Sequence, residues 1–340
     1  MTQPSPDRPA GDRKAEHLRI AGQPGVAHVR GTGLEEVRLR HRALPGRALA
    51  SVALETELLG ARLAAPVVIS AMTGGTDDAA VLNRRLADAA AEHGIALVLG
   101  SGRALLDDPS LLSTYRPRGA ARPPLLLANV GAAQLRGTHA GERAERLVDL
   151  LVADGLAVHL NPLQEAVQPE GEPDFAGVLE GIAAVVDRLA PRPVVAKEVG
   201  FGLDPDDVRE LAGVGVAAVD VAGAGGTNWA LIEGRRDTRA GAVAAAFADW
   251  GTPTAEALRA AVAAAPDVPV IASGGLWDGV DVARCLALGA TAAGVARPFL
   301  LAAQADHAAA AVGAVVAQLR IATWAAGAPS AAALGPEHLR

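Results

Sequence analysis

Lysine is nearly missing from this chain: of 31 basic residues only Lys14 and Lys197 are lysines, and the rest are arginine. The two side chains differ in geometry and in how readily burial shifts their pKa, so the two positions that keep lysine invite a chemical reason. Cysteine is scarcer still. Cys285 stands alone, which excludes an intrachain disulfide and any zinc or iron–sulfur site built on several thiolates, and fits a reducing, cytoplasmic setting. Aromatic residues make up 3% of the chain and the net charge is −7; with no basic stripe interleaved with aromatics, no nucleic-acid partner is expected. The opening MTQPSPDRPAGD lacks the apolar centre of a signal peptide. No apolar run is expected to reach the ~20 residues of a membrane span, so no membrane partner is expected either.

What is present is ample core: half the residues are hydrophobic and a fifth are charged. Eight short apolar runs recur, at 66–72, 95–101, 124–130, 156–161, 193–199, 216–221, 268–273 and 290–295. Most are separated by Ala/Leu/Arg segments of helical period, such as AAVLNRRLADAAAEHG and GERAERLVDLLVADG. Strand and helix alternating eight times predict a (β/α)8 TIM barrel over 66–340, forming a single domain with the pre-barrel segment 1–65 and its N-terminal arm. A doubly wound sheet is the alternative, but the glycines of SAMTGG come too late and too close together for a dinucleotide fingerprint. Residues 222–267 form a long loop after strand six, and both this loop and the arm are candidate lids. The alternative for the arm is an oligomer contact or a tail, and a homo-oligomer is expected.

The strand ends are where barrel chemistry is built. HLNPLQE sets His159, Asn161, Gln164 and Glu165 at one such end, because Pro162 forbids the strand's continuation. Asn161 and Gln164 taken singly are turn formers and Glu165 a solvated helix start; four together mark an active-site address. The other strands end in Met72-Thr73-Gly74-Gly75, Ser101, Asn129, Lys197, Asp220, Ser273-Gly274-Gly275 and Ala296-Arg297. SGG followed 20 residues later by GVARP suits a phosphate held by backbone N–H groups after strands seven and eight.

These residues resemble the type 2 isopentenyl-diphosphate isomerases along nearly the whole chain. RKAEH at 13–17, ISAMTGG at 69–75, HLNPLQE with the following QPEG, AKEVGFG at 196–202, VDVAGAGGTNWALIE at 219–233, ASGGLWDG at 272–279 and GVARPFL at 294–300 carry the match. The resemblance implies an FMN- and Mg2+-dependent barrel that interconverts isopentenyl and dimethylallyl diphosphates, with NADPH as reductant. By position, FMN is implied at Ala71, Met72, Thr73, Ser101, Asn129 and Lys197, with Thr227, Gly274, Gly275, Ala296 and Arg297 completing its site. The prenyl diphosphate is implied at Arg13, Lys14, His17, Arg103 and His159, with Asn161 and Gln164 beside it and Glu165 on the metal. Gly102 departs from the family's usual Gln between the residues matching Ser101 and Arg103.

Shifting a double bond needs a proton added to an unactivated alkene and another removed, work for which an ordinary carboxylic acid is a poor donor. Reduced flavin exchanges protons at its N5 and N1 edge, and Lys197 near N1 would stabilise its anion. The catalytic candidates are Gln164, His159, Asn161 and Lys197. An FMN-dependent oxidoreductase of a small substrate is the alternative, although a hydroxy-acid oxidase needs a His/Arg pair near the end of strand six onward, where Asp220 and glycines stand. An inosinate-type dehydrogenase needs a loop cysteine and Cys285 lies in an apolar helix; a Schiff-base aldolase on Lys197 leaves HLNPLQE unexplained. An inactive binding barrel would be expected to have lost one of Lys197, Gln164 or Glu165.

Overall fold

The computed structural model describes residues 10–116 and 118–340, with side chains from Lys14 onward apart from those at 238 and 239. A short antiparallel hairpin, β1 (Thr56–Leu58) and β2 (Ala61–Leu63), precedes the barrel. Its turn is made by Leu59 and Gly60 with φ of 53° and 78°, the left-handed pair that a two-residue hairpin needs. Leu59 accepts that conformation while packing against the barrel interior.

Each of the eight apolar runs then supplies one strand: β3 (Val67–Ile69), β4 (Ala96–Val98), β5 (Leu125–Gly131), β6 (Gly155–Leu160), β7 (Val194–Glu198), β8 (Ala218–Asp220), β9 (Val270–Ala272) and β10 (Ala292–Val295). All neighbours pair in parallel, and β10 closes on β3 to complete the expected (β/α)8 barrel. Continuous apolar runs fold this way because strands covered on both faces have no polar side to show. The interior is filled by Val68, Val98, Leu127, Val195 and Ile271 among others, and Leu58 and Leu63 of the hairpin join the same cluster and plug it from below.

The register sets the site. Gly131 lies opposite His159, His159 opposite Lys197, and Lys197 opposite Asp220. Side chains alternate across a strand, so these positions share one inward-facing layer at the C-terminal rim. Glu198, next in sequence, faces the other way.

Two expectations change. The segment 222–267 is not an open loop: it folds into helices Trp229–Arg236, Thr238–Ala245 and Thr254–Ala264. Asn228 starts the first by accepting a hydrogen bond from the Leu231 N–H at 3.1 Å. The helix Ala308–Ala326 is also long and apolar enough to cross a membrane by length and composition, with a mean hydropathy of 1.4. The sequence hid it because Gln318 and Arg320 interrupt the run. Both residues tie the helix to the body, Gln318 Oε1 accepting from Gly279 N at 2.9 Å and Arg320 donating to the Val52 carbonyl.

The arm helix, Ala10–Ala21, lies on the rim and is held by arginines. Arg297 donates to the carbonyls of Ala21 and Gln23 at 2.9 and 3.0 Å, and Arg235 to those of Pro24 and Gly25 at 2.9 and 2.7 Å. Cationic donors suit the orphan carbonyls at a helix C-terminus.

Because Leu63 is wholly buried in the plug, Leu63→Ala is expected to cost about 2–5 kcal/mol of stability and to leave ligand binding at the opposite rim unchanged. Denaturant titration with and without ligand checks this; weakened ligand binding would mean that the plug also shapes the rim.

Candidate active site

The rim encloses a cavity of about 260 Å³. Every residue expected at the cofactor lines it: Ala71, Met72 and Thr73 after β3, Ser101 after β4, Asn129 on β5, Lys197 on β7, Thr227 after β8, Gly274 and Gly275 after β9, and Ala296 and Arg297 after β10. So do Lys14, His17, Arg103, His159, Asn161, Gln164 and Glu165. The Arg13 side chain lies outside the described residues.

His159 is half-buried, with Nδ1 2.8 Å from Asn129 Oδ1. With the amide in that orientation the ring proton sits on Nδ1 and the lone pair on Nε2. Burial, followed by the charges of Lys197 and Lys14, pushes its pKa down to about 3. The ring is therefore neutral at pH 7, and an anion bound among these groups would relieve the repulsion. Lys14 reaches in from the arm, donating to the Ser101 carbonyl at 2.8 Å and to the Tyr115 hydroxyl, with its ammonium 4.8 Å from the centre of the Tyr115 ring. Tyr115, the chain's sole tyrosine, lies flush on Gly74, where an added Cβ would stand 2.0 Å from the ring.

On the HLNPLQE side, Asn161 Nδ2 donates to Gln164 Oε1 at 3.1 Å and to Glu165 Oε1 at 3.0 Å, while Glu172 N–H donates to Glu165 Oε2 at 2.7 Å. Gln164 Nε2 donates to Glu233 Oε1 at 2.8 Å, and His17 Nε2 lies 2.9 Å from the same oxygen. The other carboxylate oxygen of Glu233 pairs with Arg236, which reaches on to Glu170 and Glu16. Burial pushes the Glu233 carboxyl up, but His17, Gln164 and Arg236 outweigh it and hold it below the usual range. His17 and Arg297 thus line the cavity with their polar atoms turned to the protein: to Glu233 and, in Arg297, to the arm carbonyls. Arg103 is likewise engaged, by Glu172.

Sequence reasoning left Glu233, Arg236, Tyr115 and Gln134 without roles. Glu233 and Arg236 lie three apart on one helix face in NWALIEGRR, and Tyr115 was marked by being unique. Gln134 carried no signal beyond its place after β5. Gly102 is packed against Leu147, where a Cβ would meet Leu147 Cδ1 at 2.5 Å, and its N–H donates to the Asn129 carbonyl at 2.7 Å. A larger residue there requires movement.

The donor set fits a flavin mononucleotide. Ser70 Oγ and Gln134 Nε2 are buried on the cavity wall without a partner among the described residues, and buried polar groups are normally satisfied. The glycine turns after β8 and β9 interlock backbone to backbone: a Cβ on Gly274 would stand 2.1 Å from the Gly223 carbonyl oxygen, and one on Gly226 2.4 Å from Gly275 N. The helix Arg297–Gln304 begins at Ala296, whose side chain caps nothing, so its first N–H groups suit a phosphate. Asn161 Oδ1, also buried without a partner among the described residues, belongs to the amide that donates to Glu165 and suits a hard cation or its water.

A (β/α)8 barrel with its ligand cavity at the C-terminal rim is the class that fold and site define. A family model described as FMN-dependent dehydrogenase matches residues 174–340. Flavocytochrome b2 with sulfite bound superposes with a TM-score of 0.68 at 17% identity, covering 96% of this chain and 82% of that one. Mandelate oxidase with (S)-2-phenylpropionate gives 0.63 at 21%, covering 96% and 97%; these likenesses show the fold. Relatives named isopentenyl-diphosphate delta-isomerase are far nearer in sequence. The protein of Stutzerimonas stutzeri is 47% identical over 337 residues, 96% of each chain, and that of Nostoc sp. 45% identical over 300 residues, 87% of this chain and 85% of its own. The chain belongs to the isopentenyl-diphosphate delta-isomerase family and is an isomerase.

Glu198 stands outside the cavity, its carboxylate accepting the N–H groups of Gly200 and Phe201 at 2.6 and 2.5 Å. Burial nonetheless raises its pKa from 4.5 to about 7, against those bonds and Lys197. The folded chain then holds a proton that the unfolded chain releases between pH 4.5 and 7, so this group's stabilisation is lost as pH rises through that window. Glu198→Gln keeps an acceptor and does not ionise. It is expected to gain about 3 kcal/mol on the native chain across the window, read as the difference between their unfolding free energies; parallel pH curves would contradict this.

Proposed function

We propose that the chain interconverts isopentenyl and dimethylallyl diphosphates at this cavity, with reduced FMN against Lys197 and Mg2+ at Glu165. The observation that carries the reading is the lining of the cavity: Lys14 and Arg103 with neutral His159, an ordered set of Asn161, Gln164 and Glu165, and, among the described residues, no acid suited to protonate an alkene. Lys14, Arg103 and His159 form the side that receives the diphosphate, and charge-assisted bonds to phosphate are among the stronger polar contacts. Magnesium needs few protein ligands when phosphates supply the rest, which is why one carboxylate, Glu165, with the Asn161 oxygen beside it, is enough.

Gln164 does not titrate, and its amide is fixed at both ends, by Asn161 and by Glu233. It orients the reacting end of the substrate and does not carry its proton. The arm helix excludes water by laying Lys14 and His17 across the mouth. When bound, reduced flavin supplies a proton-exchanging edge and electron density to stabilise positive charge developing at the tertiary carbon. Lys197 favours the anionic form of that ring by Coulomb attraction, while neutral His159 stays a hydrogen-bonding partner of the diphosphate side.

Substrate and product are isomers, so the proposed reaction consumes no reductant. With oxygen removed, NADPH loss is expected to fall far below one equivalent per dimethylallyl diphosphate formed, and the enzyme with oxidised FMN is expected to be inactive. Stoichiometric NADPH consumption would make the chain an oxidoreductase, and full activity with oxidised flavin would remove the cofactor's stated role. Glu165→Gln is expected to keep FMN and to raise the magnesium requirement for substrate use at least tenfold, about 1.4 kcal/mol; normal turnover at low magnesium would place the metal elsewhere.

A further inference from the structure

Lys197 does not face the cavity alone. Its Nζ donates to the Glu198 carbonyl and lies 4.0 Å from Asp220 Oδ2, the residue in register with it on the next strand. The other oxygen, Asp220 Oδ1, accepts the Ser273 hydroxyl at 2.5 Å and the Ala222 N–H at 3.3 Å. Lys197 and Ser273 line the cavity and Asp220 lies behind them, 5% exposed. Three successive strand ends, β7, β8 and β9, thus meet on one buried carboxylate that does not itself face the ligand space. Burial pushes the Asp220 carboxyl above its usual range, against Lys197 and its two hydrogen bonds. A buried ion pair stabilises a fold no better than well-packed apolar side chains of similar volume, so stability alone gives no reason for this one.

We propose that Asp220 is a positioning residue that acts through Lys197: by balancing the charge of the ammonium at the cavity wall, it sets how strongly the site favours reduced over oxidised flavin. The inference rests on the flavin reading of the cavity. Two electrons and one proton added to oxidised flavin leave the ring with one negative charge. In the native site Lys197 is shared between that charge and Asp220, and the Asp220 carboxylate itself opposes the new anion. Without Asp220's charge, less negative charge stands beside Lys197, so the reduced ring gains more from the ammonium, and the oxidised state, which leaves that ammonium less well compensated in a buried site, is disfavoured.

The test is the two-electron midpoint potential of the FMN-loaded protein, measured anaerobically by dye-coupled titration. Asp220→Asn keeps an oxygen to accept the Ser273 hydroxyl and is expected to raise the potential, by about 30 mV if the reduced-to-oxidised affinity ratio changes about tenfold. An unchanged or lower potential in a variant that retains FMN overturns the proposal, because a merely structural role moves folding and cofactor content and not the potential. Should the single variant fail to hold FMN, Lys197→Gln with Asp220→Asn removes both charges together and is compared with Lys197→Gln alone. A higher potential in the double variant is expected; equal potentials overturn the proposal. A native protein that cannot be loaded with FMN refutes the flavin reading, and this inference with it, whereas a loaded protein whose potential ignores Asp220 refutes this inference alone.

Discussion

Glu233 is the constraint to which the rest of the rim answers. Its carboxylate is wholly buried, and a charge so placed is tolerable only when it is paired and hydrogen-bonded. Its partners include His17 from the arm, Gln164 from the short helix Pro162–Val167 after β6, and Arg236 from its own helix. The arm cannot leave without withdrawing a partner from a buried anion, nor can the Gln164 amide rotate. One carboxylate, two hundred residues from the arm in sequence, thereby joins the closing element to the side chain proposed to orient the substrate.

A barrel divides this labour economically. The strands below the rim carry only apolar side chains, and the hairpin plug seals their far end, so rigidity is supplied where no chemistry occurs. At the rim a single register layer brings His159, Lys197 and Asp220 onto adjacent strands. Their environments differ sharply: His159 is kept neutral, Lys197 faces a carboxylate, and Asp220 is withdrawn behind the wall. The helices inserted after β8 add what the strands cannot, the Glu233–Arg236 pair and the Arg235 clamp on the turn after the arm.

The barrel was legible because parallel strands buried on both faces appear as unbroken apolar runs, and all eight runs became strands. The cavity was legible for a related reason: polar residues that end such runs have only the rim to occupy. Side-chain partners were not legible. His17 and Arg297 were expected at phosphate, but their contacts depend on how the arm docks, and no spacing records that. Glu233 looked like one more acid in a long loop, although folding leaves it 0% exposed. The helix Ala308–Ala326 escaped notice because Gln318 and Arg320 break its run, and the segment 222–267 read as a loop because its short helices lie between glycine clusters.

The central claim is that this cavity moves protons without net redox change, and turnover in deuterium oxide tests it most directly. With FMN kept reduced, isopentenyl diphosphate left to equilibrate should yield dimethylallyl diphosphate that carries solvent deuterium at the carbon protonated in the reaction. The isomer pair, corrected for that exchange, should retain its mass. Product that has lost two hydrogens, or product formed at full rate with no solvent deuterium in either isomer, would contradict the account.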